Sequence, residues 1–213
     1  MELNLGQWVV IIISAVLILG YIRGFYYNRQ RAGQILSWLE GGLKVFGAAS
    51  SGDKLPGMAT GGRLEVKRAA PPLKRVEAVY MLAPRENPLF LLFHLLQGRR
   101  DELILWITCQ SKPEQELEAA RPGDRQLESR LKDTGKIPLA VSTGPHNLLV
   151  ASQENQAGAL PGEVQAFLER YGKHVYRLVL RGNKPHLFLR ANLRIMEAVP
   201  AEEFFSDVRE LAK

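Results

Sequence analysis

From Leu5 to Ile22 the chain runs through Trp8, Ile12 and Leu17 without one charged side chain. As a helix these roughly 18 residues rise about 27 Å, close to the hydrocarbon thickness of a bilayer. A cleaved secretion signal would begin with basic residues and end on small ones. Here Glu2 is the only charged side chain before the run, and bulky Tyr21, Phe25, Tyr26 and Tyr27 follow it. The segment therefore reads as an uncleaved signal-anchor, with a cleaved signal or a buried soluble helix as the alternatives. Trp8 at one end and Tyr21 at the other suit the two headgroup layers, because each ring is apolar with one polar atom.

Orientation follows from basic residues, which are retained on the cytoplasmic side. Arg23, Arg29 and Arg31 all lie C-terminal to the run. The expected placement is the plasma membrane, crossed once, with the N-terminus outside and residues 29–213 in the cytoplasm. Cys109 is the single cysteine, so no internal disulfide can form, as suits that compartment.

Residues 1–28 form the expected anchor, and 29–47 follow with Ile35, Leu36, Trp38, Leu39, Leu43 and Phe46 at three- and four-residue spacing. That period predicts a juxtamembrane amphipathic helix. Its apolar stripe has three available partners: the bilayer interface, where Trp38 and Phe46 would insert, the soluble domain, or a second copy. Gly20 and Gly24 have the small-xxx-small spacing that can seat a homodimer of spanning helices. Residues 48–62 are rich in Gly, Ala and Ser and are expected as a flexible linker.

Residues 63–213 suffice for one domain with its own core. Alternating segments predict strands over 63–68, 75–82, 102–109, 138–142, 147–152, 175–181 and 186–193. Helices are expected over 126–133, 162–171 and 201–213, while 111–119 fits a capped helix or a strand equally. Asn87-Pro88 caps a further helix through Leu96, apolar nearly all round and too short to span. It is expected beneath a sheet. Strands and helices without regular alternation predict an α+β domain, a mixed, mostly antiparallel sheet with packed helices, behind a single transmembrane helix.

Seven basic residues and no acid lie between Arg170 and Arg194. Gly182-Asn183-Lys184-Pro185 predicts a hairpin turn there, which would put Arg177, Arg181, His186, Arg190 and Arg194 on one outer face. Guanidinium groups make paired, charge-assisted bonds to phosphate, so this ribbon is the candidate site for an anionic partner. A solvated sheet face masked by the domain's own acids is the alternative. A second cluster, Arg63, Lys67, Arg68, Lys74 and Arg75, lies next to the expected linker and favours anionic lipid headgroups. From residue 63 on, 23 basic side chains stand against 19 acidic, an excess too small to call for nucleic acid.

Catalytic signatures are missing from the sequence: no phosphate loop, dinucleotide fingerprint, paired-cysteine zinc pattern or nucleophile elbow. Neither cofactor nor metal is expected. Ser142, Thr143 and His146 share one turn and mark the place where a membrane-tethered enzyme would have its site. The favoured function is a non-catalytic cytoplasmic domain that binds a protein or an anionic, phosphate-bearing surface. A tethered enzyme and a subunit of a larger membrane assembly stand beside it.

Overall fold

The computed structural model describes residues 4–47, 50–54, 60–98, 100–113, 115–124, 127, 129, 139–153 and 160–212. Helix α1, Leu5–Leu43, runs for 39 residues as one rod. Asn4 and Gln7 cap its start reciprocally, and no proline interrupts it. The expected anchor and juxtamembrane helix are thus a single element. Its N-terminal part is long and apolar enough to cross a membrane by length and composition, and is not buried within the protein.

Nine strands among the described residues form one sheet, in the order β1-β2-β3-β4-β9-β8-β5-β7-β6. They are β1 Ser50–Lys54, β2 Gly61–Val66, β3 Leu73–Met81, β4 Glu102–Cys109, β5 Leu117–Ala120, β6 Leu139–Thr143, β7 Leu149–Gln153, β8 Val175–Leu180 and β9 Leu187–Asn192. Every neighbouring pair is antiparallel. Pairing of β4 with β9, from Glu102↔Asn192 to Ile107↔Leu187, joins the first half of the domain to the last. With its helices this is an α+β fold.

Further α-helices among the described residues are α2 Pro88–Leu96, α3 Gly162–Tyr171, α4 Ile195–Ala198 and α5 Ala201–Glu210. The C-terminal half of α1 lies with α3 and α5 on one face of the sheet. Ile35, Leu39, Leu43 and Phe46 are wholly buried in the same core as Leu103, Leu105, Leu187 and Leu189. Trp38 packs on Phe204 and Phe205 at ring separations of 5.7 and 5.3 Å, and its Nε1 donates to the Val199 carbonyl. The amphipathic stripe therefore faces the domain and not the bilayer interface. The protein surface offered by α5 is apolar and shaped, so the stripe is removed from water there without lipid.

Two further expectations are revised. Strand β1 and the first residues of β2 occupy part of the segment expected as a linker, because the backbone of 50–54 pairs with β2 although it lacks large apolar side chains. Helix α2 is capped as expected, with Asn87 accepting from the Phe90 N–H, but it buries nothing under the sheet. Leu89, Phe90, Leu92, Phe93, Leu95 and Leu96 are each 54–78% exposed. The helix expected over 126–133 lies almost entirely outside the described residues.

Candidate functional site

The expected basic ribbon is already partnered. Arg177 is buried and pairs with buried Glu118 at 2.6 Å, while Arg190 holds Glu102 with two bonds of 2.9 and 2.8 Å. This bidentate bond raises the Arg190 pKa. Arg181 donates to the Pro185 carbonyl. His186 is inside, not outside, and its Nδ1 accepts the Cys109 N–H at 3.1 Å. A register shift between Val175 and Arg177 turns Tyr176 outward, where its hydroxyl accepts from Asn192 and its ring lies under Arg121 and Arg190. The acids that mask the ribbon come from β4 and β5, distant in sequence, so local alternation could not reveal them. In the second basic cluster Arg63 pairs with Glu77 and Arg75 with Glu65. Arg194 alone of the ribbon stays exposed without a carboxylate partner among the described residues.

Burial lowers the His186 pKa, with the nearby Lys184 charge adding to the effect. The unfolded chain therefore binds a proton below about pH 6.5 that the native protein refuses. Stability on this account is complete above pH 6.5 and declines as pH falls toward the lower native value. The expected result is a urea midpoint that is level from pH 8 to 7 and falls toward pH 5, with a shallower fall in His186→Gln. Equal slopes in the two proteins would refute it.

His146 sits in a left-handed conformation, φ 55°, against the C-terminal end of α3. Its Nε2 lies 2.9 Å from the Glu169 carbonyl oxygen and donates to it, and its ring packs over Gly172. A backbone carbonyl thus takes the place an orienting carboxylate would need in a nucleophile–base pair. Among the described residues no three His, Cys, Asp or Glu side chains gather as metal ligands.

The best-built polar constellation is where α1 meets the β3–α2 connection. Trp8, Ile12, Leu17, Tyr21 and Arg23 are all exposed along α1, whereas Gly24 and Asn28 are buried. A Cβ on Gly24 would stand 1.8 Å from the Arg85 carbonyl oxygen, and one on Gly20 would stand 2.8 Å from Pro88 Cγ. The small-residue stripe expected to seat a second copy is filled by the chain's own loop. One turn further on, Asn28 donates to the Ala83 carbonyl and the Glu86 carboxylate at 3.0 and 2.8 Å, and accepts from Arg85 at 3.1 Å. Arg85 also makes a bidentate bond to Asp101, at 2.8 and 2.9 Å, and stacks over Tyr27. Asp101 additionally accepts the Ala83 N–H.

The consequence is geometric. This network fixes the start of α2 beside the last apolar turns of α1, so the two uncovered apolar surfaces adjoin. Between them and α4 lies a cavity of about 450 Å³ whose wall includes Tyr27, Arg31, Arg85, Leu91, Arg100 and Arg194. Arg85 and Asp101 read in the sequence as solvated charges of two turns, and only the i, i+4 spacing of Gly20, Gly24 and Asn28 marks their shared face. No protein-family model matches the chain, and a search of curated proteins finds no significant relative.

Proposed function

We propose that this chain is a single-pass membrane protein whose non-catalytic α+β domain is held rigidly at the cytoplasmic face and rests on the anionic bilayer surface. The observation that carries the reading is α2, a helix with six large apolar side chains exposed, locked next to the end of an apolar span. Water is a costly place for such a face, whereas the acyl boundary of the headgroup layer accepts it; full burial of one Leu or Phe side chain is worth about 1.5–3 kcal/mol. Exposed Arg23 and Arg29 follow the span and favour the anionic, cytoplasmic leaflet. The single unbroken α1 gives the domain a fixed height where a flexible linker would let it wander. Two membrane contacts, the span and α2, then define its tilt as well.

The test is a depth measurement on the full chain in vesicles containing phosphatidylglycerol. Cys109 is buried and its thiol is pushed up by desolvation, so a fluorophore directed to Leu92→Cys labels that position selectively at neutral pH. Strong quenching by lipids carrying a nitroxide high on the acyl chain, with little quenching by aqueous iodide, is the expected result. The reverse pattern would sink the reading.

A further inference from the structure

We infer that the cavity between α1, α2 and α4 binds the headgroup phosphate of one anionic phospholipid. The inference rests on the membrane docking proposed above, and goes beyond it by naming a specific site. Tyr27 lies five residues past Ile22, about 7 Å along the helix axis, a depth within the headgroup layer if the apolar run fills the hydrocarbon core. At about 450 Å³ the cavity is in the size range of small-molecule sites.

Its wall is divided. On the α1–α2 side Tyr27 and Leu91 continue the apolar surfaces. Four guanidiniums line the rest of it: Arg31 of α1, one turn past Tyr27, Arg85 and Arg100 on either flank of α2, and Arg194 at the start of α4. Two are neutralised in place: Arg31 by Glu197 at 2.5 Å and Arg85 by Asp101. Arg100 and Arg194 are exposed and have no ion pair among the described residues, which leaves uncompensated positive charge at the mouth. Phosphate oxygens match the planar forks of Arg100 and Arg194 with paired, charge-assisted bonds. Free phosphate would satisfy the arginines but leave the apolar side without a partner. A phospholipid satisfies both sides, with its phosphate against the guanidiniums and its glycerol and upper acyl chain against Leu91 and Tyr27.

The experiment uses the full chain in mild detergent, with retained lipid counted by native mass spectrometry during titration with dioleoyl phosphatidylglycerol or dioleoyl phosphatidylcholine. The expected result is one phosphatidylglycerol bound at least tenfold more tightly than phosphatidylcholine. In Arg100→Gln/Arg194→Gln that lipid should bind about thirtyfold more weakly; both side chains are exposed, so the fold is retained. Equal retention of the two lipids, an unchanged double variant, or displacement of phosphatidylglycerol by an equal concentration of inorganic phosphate would each overturn the site. The Leu92→Cys depth signal, read on the same double variant, separates the two proposals. A bilayer-buried probe without headgroup selectivity overturns only the phosphate site, whereas an iodide-accessible probe overturns the docking and the site together.

Discussion

A chain that begins at residue 63 is expected to lose its cooperative fold. It would lack Ile35, Leu39, Leu43 and Phe46, each 0% exposed. Burial of such side chains stabilises by about 1.5–3 kcal/mol each, so roughly 6–12 kcal/mol is removed from a domain whose total stability is about 5–15 kcal/mol. The loss also uncovers Phe204 and Phe205, which Trp38 and Phe46 cover in the full chain, and cuts into β2 while removing its partner β1. A chain beginning at Asn28 keeps all of these. The measurement is urea unfolding followed by near-ultraviolet circular dichroism, with dye binding as a second signal. Residues 28–213 should unfold in one sharp transition, while 63–213 should show a broad one and bind an apolar dye already without urea. A sharp transition at the same midpoint in both would show that the C-terminal half of α1 is an accessory and not part of the core.

That result bears on why the soluble boundary is hard to see in the sequence. The stripe from Ile35 to Phe46 has a clear helical period, and period fixes that a helix has one apolar face but is silent about what the face meets. Lipid and α5 are equally apolar partners, and only the chain's path decides between them. Elements whose own pattern is strong were legible: β4 and α3 lie over 102–109 and 162–171 as read from alternation and helical period. Strand β1 was not, since its Ser-Ser-Gly-Asp-Lys backbone is extended by pairing with β2 rather than by side-chain preference. Strand β5 was ambiguous because the alternation of Gln115, Leu117 and Ala119 competes with a helix-capping pattern that begins at Ser111, and only pairing with β7 and β8 decides between them. The arginines of the hairpin were legible as a group, but Glu102 and Glu118, which pair with Arg190 and Arg177, reach them only through sheet order. The helix α2 was recognised by its cap and its stop. Its location was not, because a short helix that is apolar nearly all round looks the same whether protein or lipid surrounds it.

Glycine-to-alanine exchange at two positions of α1 is expected to change stability with opposite signs. At Gly33 a Cβ would meet nothing within 4 Å, so Gly33→Ala should stabilise by about 0.5–1 kcal/mol, the ordinary gain from restricting a helical glycine. At Gly24 the same methyl group would stand 1.8 Å from the Arg85 carbonyl oxygen, 2.2 Å from its carbon and 2.6 Å from the Glu86 nitrogen. These are backbone atoms in a loop held by Asp101 and Asn28, so they cannot move aside as a side-chain tip could. Either α1 shifts off the loop or the loop distorts, and both stretch the buried bonds of Asn28. Overpacking of this kind costs about 1–3 kcal/mol and each weakened buried hydrogen bond about 1 kcal/mol more. For a chain of this size that lowers the melting temperature by about 4–16 °C, against a rise of about 1–4 °C for Gly33→Ala. The depth signal at Leu92→Cys should shift toward water in Gly24→Ala and stay unchanged in Gly33→Ala, because the loop that carries Gly24's neighbours also carries Pro88, the first residue of α2. If both variants were stabilised alike, the close approach at Gly24 would be absent, and α1 would hold the domain only through its far end at Ile35 to Phe46. The domain would then pivot beneath the membrane, and the fixed placement of α2 on which lipid docking depends would be lost with it.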